Sequence, residues 1–430
     1  MRRWIGTTCL SVLLAVAAAA DDSDVNALRD RVAALEAQNS AMRAEIDALK
    51  ARLSPPPAPS PSSSPPTPAP VRAGDSSVAF YGFVRVDAIY DDSRPSAFQT
   101  PLFILSEDAR TGLRDNENLT LHPRLTRFGM NYSGPELPRL GNASIAGKIE
   151  IDFQNGGRES RAISRFRHAW LQTSWKRSSL LLGQTSDVIS PLFPNVNADT
   201  LMWNAGNLGD RRPQVRYQYK SGRVTLQTAA GLTGAVDEQD LDADGVRDGE
   251  ASALPNLQAR IGFDSSRKDA WSLGLWALRG WQQTNRAFGG ERRFVSSALG
   301  ADYKLALGKR ARVQGEAWMG EGLGDFRGGI GQSINTTTGE TIFSRGGWLE
   351  LGFDATPWST LYLGYTVDDP DDGDLVTNAR AKNAAWYVTN RFRFGAPFQI
   401  GIEYLRWMTR YRGLARGLDN RFDIYAIYNF

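Results

Sequence analysis

The chain has 430 residues, 41% of them hydrophobic, and its 50 Lys+Arg against 47 Asp+Glu leave a formal charge of +3. Near-neutral charge argues against a nucleic-acid partner. One cysteine (Cys9) and two histidines (His122 and His168) exclude disulfide frameworks and Cys/His zinc sites. Past the first twenty residues no window approaches the roughly 20-residue apolar run of a membrane-crossing helix. Aromatic residues are abundant instead (19 Phe, 12 Trp, 13 Tyr), beside 42 Gly, a balance that suits strands.

In chain order, residues 1–20 read as a secretory signal: Arg2 and Arg3, an apolar stretch through Leu14 and Val16, then Ala17–Ala20. Cys9 leaves with it. Residues 21–53 predict a periplasmic α-helical coiled coil. Val25, Val32, Asn39, Ile46 and Leu53 fall at heptad position a, and Leu28, Leu35, Met42 and Leu49 at d. Such a seam is an oligomerisation device. Residues 54–75 form a Pro-rich linker, with nine of the 21 prolines between 54 and 70. At about 3.1 Å per residue it is a semi-rigid polyproline II spacer.

From residue 76 to 430 the pattern becomes period 2, apolar against polar or small, as in Phe422, Ile424, Ala426, Tyr428 against Arg421, Asp423, Tyr425, Asn429. Sixteen such segments follow: 78–91, 119–133, 142–154, 162–176, 179–185, 211–220, 222–233, 255–265, 269–283, 292–305, 309–320, 344–356, 358–368, 381–395, 397–408 and 419–430. Short connections alternate with long ones at 92–118, 186–210, 234–254, 321–343 and 369–380. The polar faces carry full charges at strand centres, which a dry core cannot hold. The expected fold is all-β, a 16-stranded antiparallel transmembrane β-barrel with apolar residues to lipid and charges to water.

Alternation places the pore-lining candidates. Arg85 and Asp87 oppose Val84 and Val86; Lys148 and Glu150 oppose Ile149 and Ile151. Arg165 and Arg167 oppose Phe166 and Trp170, Arg212 and Arg216 oppose Val215 and Tyr217, and Arg260 opposes Ala259 and Ile261. Arg391 and Arg393 oppose Phe392 and Phe394. Fixed Arg charge selects anions, and Arg grips carboxylates bidentately. Inward Glu316, Glu350, Glu403 and Asp423 could equally pair with these cations as a wet structural network.

The segments "YGFVRVDAIYDD" (81–92), "GKIEIDFQNG" (147–156), "LLGQTSDVISPLFP" leading to "GNLGDRRPQVRY" (181–217), "VDDPDDGDL" (367–375) and the terminal "YAIYNF" resemble DcaP-like trimeric outer-membrane porins. The resemblance spans roughly 78–430. It implies a sixteen-stranded barrel, a homotrimer, a loop after the fifth strand (186–210) folded into the lumen as the constriction, and small anionic solutes such as dicarboxylates as cargo.

Asp240, Asp242, Asp244 and Asp248 sit in a D-x-D-x-D-G loop, the oxygen-rich turn that calcium favours. Position twelve of an EF-hand loop would be Ala251. A calcium site at 240–248 and a solvated acidic loop both remain open, and no other cofactor is implied. No nucleophile elbow, phosphate loop or zinc spacing points to an enzyme. The expectation is a passive porin of the Gram-negative outer membrane, embedded in its lipid, with a periplasmic N-terminal segment. The alternative is an envelope tether, in which 21–72 contacts peptidoglycan or another periplasmic surface.

Overall fold

The computed structural model describes residues 70–430 apart from 98–99, 113–115, 155–161, 197–200, 234–239 and 267–269, together with six residues between 33 and 41. Those six (Ala33, Ala34, Ala37, Gln38, Ser40 and Ala41) are helical and exposed. The signal, the a and d positions of the heptads and residues 54–69 of the proline spacer lie outside the described residues, while Val71–Ala73 at its end form a short strand paired with Ser76–Val78.

Sixteen strands cross the barrel: β1 (Ser76–Asp91), β2 (Asn118–His122 and Arg127–Leu137), β3 (Ala143–Asp152), β4 (Arg165–Ser174), β5 (Ser178–Ser186), β6 (Arg211–Ser221), β7 (Val224–Gly231), β8 (Asn256–Asp264), β9 (Trp271–Phe288), β10 (Glu291–Leu307), β11 (Ala311–Glu321), β12 (Phe343–Thr356), β13 (Ser359–Pro370), β14 (Arg380–Phe394), β15 (Phe398–Tyr411) and β16 (Gly417–Asn429). Each pairs antiparallel with the next, and β16 pairs with β1 from Arg421↔Asp91 to Asn429↔Phe83, closing the cylinder. Phe430 completes the seam: its N–H donates to the Gly82 carbonyl (3.1 Å) and its carbonyl accepts from the Gly82 N–H (3.2 Å). Closure leaves no sheet edge for lipid to desolvate.

The sequence expectation of sixteen strands holds, with three local corrections. The second strand is broken, because Pro123 has no N–H to give the ladder and Thr126 N–H turns back to its carbonyl (2.9 Å). The connection between β9 and β10 is not a loop from 283 to 292 but a tight turn at Gly289–Gly290, both with φ above zero (57° and 93°). Beyond Gln283 the hairpin carries polar residues on both faces, so the period-2 apolar signal ends before the strands do. Finally, Trp170 does not share a face with Phe166. A bulge sets Glu150 opposite His168 and Ile151 opposite Phe166, shifting the alternation, so that Trp170 pairs with inward Lys148.

The outer surface is apolar. Leu299 is 64% exposed, Ile424 54% and Leu275 51%, values that a water-soluble sandwich would bury. Two outward aromatic clusters lie on β13–β16 and β1: Trp386, Tyr404, Phe422 and Tyr90 in successive contact toward the long-loop end, and Trp358, Phe392, Phe394 and Phe398 toward the short-turn end. An apolar band between aromatic girdles is the lipid-facing signature of a transmembrane barrel.

The coincidence of many glycines with many aromatics has a packing cause. Inward rings lie flat on glycines of the adjacent strand: Tyr81 on Gly129, Trp276 on Gly300, Tyr387 on Gly364 and Tyr425 on Gly401 are cross-strand pairs in which an added Cβ would sit 2.0–2.1 Å from the ring. The ring covers the glycine backbone and the glycine makes room for the ring.

Candidate pore and its inward loops

Residues 187–196 and 201–210, between β5 and β6, are bound to inward side chains of distant strands. On β8, Gln258 accepts the Val188 N–H (2.8 Å). On β11, Glu316 accepts the Leu192 N–H (2.8 Å) and the Ser190 hydroxyl, while Trp318 Nε1 donates to the Gly206 carbonyl (2.7 Å). On β12, Glu350 accepts the Asn195 backbone N–H (2.6 Å) and side-chain amide (2.7 Å). On β14, Arg391 donates to Asn195 Oδ1 (2.7 Å) and Asn383 to the Asn204 carbonyl (2.7 Å). These anchors span strands eight to fourteen, so the segment runs across the interior. Gly206 fits because its Cβ position would lie 2.3 Å from the Gly347 carbonyl on the wall.

A second loop joins it, although its sequence carries no periodic signal. In 322–342, Leu323, Phe326 and Ile330 are fully buried, Leu323 and Phe326 packing with Ile189 and Leu208 of the first loop against Trp276, Leu278 and Trp318 of the wall. Arg327 bonds Asp210 (2.7 Å), its carbonyl accepts the Asn204 N–H (2.9 Å), and its guanidinium lies 4.8 Å from the Trp203 ring centroid. Ile104, from the loop after β1, packs with Val196, Met202, Tyr387 and Trp407. Inward apolar residues at this level therefore meet inserted loops rather than water, a departure from the simple polar-inside expectation.

The predicted pore-lining residues divide into paired and unpaired groups. Arg85 donates to both carboxylate oxygens of Asp87 (2.8 and 3.0 Å) and lies 4.0 Å from the Tyr425 ring centroid. Arg212 pairs with Asp187 (2.8 Å) and Arg260 with Asp302 (2.7 Å). On β2–β4, Arg127, Lys148 and Arg167 surround Glu150 at 3.4, 3.5 and 2.8 Å, and Arg165 and Arg167 hold Asp152 at 2.7 and 3.0 Å. Here the carboxylates are sunk, with side chains 4% and 0% exposed, while Arg127, Lys148 and Arg165 are 24–29% exposed. Four cations thus face the lumen over two buried acids.

Arg216, Arg391 and Arg393 make no ion pair within 4.0 Å among the described residues, although Asp187, Glu403 and Asp354 lie near enough to attract them in turn. Arg216 bonds Gln214 Oε1 (3.1 Å) and the Ser186 carbonyl, Arg391 bonds Tyr425 (2.9 Å) and Asn195, and Arg393 bonds Thr360 (3.0 Å). Arg127 was missed because it opens the second half of the broken β2, where alternation restarts. Arg327 was missed because nothing in its loop carries a period.

At the outer end, Asp240, Asp242 and Asp244 bring carboxylate oxygens within 4.8 Å of one another. Their oxygens accept backbone N–H groups: Asp240 from Asp244 (3.1 Å) and Gly245 (2.9 Å), and Asp242 from Asn285 (2.6 Å) and Arg286 (2.8 Å). Asp248 is not grouped with them. It is buried at the start of a short helix (Asp248–Ala251) and accepts the Leu241 N–H (3.2 Å). Burial, then the nearby Asp325, Asp242 and Asp240 carboxylates, push its pKa up to about 7.

A closed sixteen-stranded barrel, apolar outside and charged within, with the loop after its fifth strand turned inward, has the fold of outer-membrane porins. The outer membrane channel DcaP of Acinetobacter baumannii shares this fold with a TM-score of 0.68 at 21% identity, over 84% of this chain and 99% of that one. OmpF of Salmonella typhi, solved with daunomycin, gives 0.56 at 10% identity over 84% and 100%. An anion-selective porin from Comamonas acidovorans gives 0.54 at 12% over 83% and 100%. No protein-family model matches the sequence, and no curated protein matches it.

Proposed function

We propose that the protein is a diffusion channel of the Gram-negative outer membrane that passes small hydrophilic solutes and favours small anions such as dicarboxylates. The observation that carries this reading is the wall of β2–β4, where Arg127, Lys148, Arg165 and Arg167 are offered to the lumen and Glu150 and Asp152 are withdrawn behind them. A passing anion meets the cations first, and partly desolvated guanidinium groups bind carboxylates more strongly than exposed ones. The loop 186–210 acts as the constriction. Its Asn195 is bonded to Arg391 on β14, and in this reading the solute passes between the loop and the cationic wall of β2–β4. Binding to fixed side chains and release by diffusion need no cofactor and no covalent step.

Porins of this fold assemble in membranes, and one solved relative is an OmpT of Vibrio cholerae in a trimer form. We take the same assembly for this chain, with its aromatic clusters in outer-membrane lipid. Proteoliposomes test the channel reading: vesicles carrying the folded protein should swell in isotonic arabinose, and shrunken vesicles that stay shrunken would refute it.

A further inference from the structure

The outer wall of β9–β16 is charged at one end only. Among the described residues, its short-turn half carries no charged side chain at outward strand positions; Leu305, Val313, Leu351, Leu361, Phe392 and Ile400 stand there. Nearer the long loops, up to the Gln283–Arg293 pair, the outward positions hold Arg279, Arg293, Arg345, Lys382, Arg406 and Arg410. Glu321 and Asp369 are the acids among them on the strands. Arg345 and Lys382 share Asp369, at 3.9 and 3.3 Å. Arg410 pairs with Asp372 of the adjoining loop (3.0 Å), with side chains 49% and 61% exposed, so water screens that pair. Arg406 donates to Asn420 (2.8 Å), which in turn donates to Asp92 (2.6 Å). Arg293 bonds Gln283 (3.0 Å), and Arg279 lies 6.0 Å from the Trp281 ring centroid. Cations therefore outnumber acids on this face even when the loop acids are included.

Lys382 and Arg410 are direct partners across the β14–β15 ladder. Like charges so placed repel, and an anion lying over both relieves the repulsion. Arg406 stands opposite Trp386, whose ring packs on Tyr404 at 5.2 Å. Interfacial aromatics mark the level of lipid headgroups. Lys382 lies four residues beyond Trp386 toward the loops, about 13 Å along the strand. The cations thus stand at and above headgroup level on the long-loop side, which in an outer-membrane barrel faces the exterior. We infer that this face docks an outer-leaflet lipid whose headgroup carries phosphate monoesters. Lys382 and Arg410 grip one phosphate between them, and Arg345 and Arg406 flank it. A phosphate monoester carries close to two negative charges at neutral pH, enough for both opposed cations, whereas a diester carries one. The apolar wall below the cations would meet the acyl chains of the same molecule, a contact that a soluble phosphate cannot make. The inference needs the barrel to lie in a bilayer and does not depend on conduction.

The test is native mass spectrometry of the full-length protein folded in detergent. It is titrated with lipid A, which bears phosphate monoesters, and with phosphatidylglycerol, which bears a diester. Lipid A should bind about fivefold more tightly, the worth of one additional interfacial charge. In Lys382→Gln with Arg410→Gln its half-saturating concentration should rise about thirtyfold, and in Arg345→Gln, the milder variant, about fivefold. Asp369→Asn removes the competing acid and should lower it about fivefold; cations placed only to pair with Asp369 would gain nothing from this change. Values unmoved in these variants would overturn the docking face. Equal binding of the two lipids would overturn the monoester assignment, and displacement of lipid A by millimolar inorganic phosphate would overturn the lipid in favour of a free anion.

Discussion

Glu350 on β12 accepts both the backbone N–H and the side-chain amide of Asn195, at 2.6 and 2.7 Å, although the two residues are 155 positions apart. The same carboxylate also takes the Tyr387 hydroxyl (2.8 Å) and the Gln314 amide (2.9 Å). One inward acid thus ties Asn195 of the loop between β5 and β6 to three strands. Glu350→Ala leaves four donors without their acceptor, and each strands about 1–3 kcal/mol of desolvation. Single-channel recording of this variant should show a larger and noisier unitary conductance than the native channel. Asn195→Ala, which frees only the loop side, should show the same effect more weakly. Unchanged conductance in both would mean that this part of the loop does not border the path.

The balance of charge on the wall can be moved in either direction. Lys148→Gln with Arg165→Gln removes two of the exposed cations over Glu150 and Asp152. The reversal potential in a salt gradient should move toward cations. Asp354→Asn on β12, whose carboxylate bonds Arg312 (3.1 Å) and is 40% exposed, should move it toward anions. Shifts in the opposite sense would place these residues off the permeation route.

Outer and inner faces respond differently to a charge. Ile424 lies mid-strand on β16 and faces outward, 54% exposed. Ile424→Arg should cost about 2–4 kcal/mol of folding stability in a bilayer, as expected for a cation near the membrane midplane. Arg393→Gln, on the lumen side, should stay within about 0.5 kcal/mol of native. Denaturant unfolding from vesicles measures both, and equal costs would contradict the assignment of faces.

The loop 240–254 should be pH-sensitive. With the Asp248 pKa raised to about 7 above an unfolded value near 4, the folded loop holds a proton that the unfolded loop has lost. That contribution is present in full below about pH 4 and is lost as the pH rises through about 7. Hydrogen exchange of the Leu241 amide should therefore quicken between pH 5 and 8 beyond its intrinsic rise. Asp248→Asn should flatten this excess, and an excess that persists in the variant would assign it to another group.

For calcium we propose that the three clustered carboxylates bind weakly, because each already serves backbone amides. Calorimetry on the folded barrel should show heat that disappears in Asp242→Asn with Asp244→Asn. The absence of heat with the native protein would retire the site.

Much of the barrel was legible because membrane strands leave an unusual trace: residues meeting lipid and residues meeting water alternate at period 2, so Val84/Arg85/Val86/Asp87 and Phe392/Arg393/Phe394 declare their faces by themselves. What the trace could not carry was anything that breaks or leaves the alternation. The bulge at Arg167–His168 turns Trp170 inward, Pro123 interrupts β2, and the β9–β10 hairpin continues past the apolar band. Ion pairing was equally hidden. Alternation shows Arg212 and Arg260 inward, but only the fold brings Asp187 and Asp302 to them. The loop 322–342 has no periodic signal at all, and its role in holding 201–210 through Arg327 appears only in three dimensions.

The central claim is a water-filled lumen whose exposed fixed charge is cationic, and a planar-bilayer recording under a tenfold potassium chloride gradient tests it most directly. The account predicts discrete current steps from the native protein and a reversal potential with the sign of chloride preference. A silent bilayer, or steps reversing on the potassium side, would contradict it.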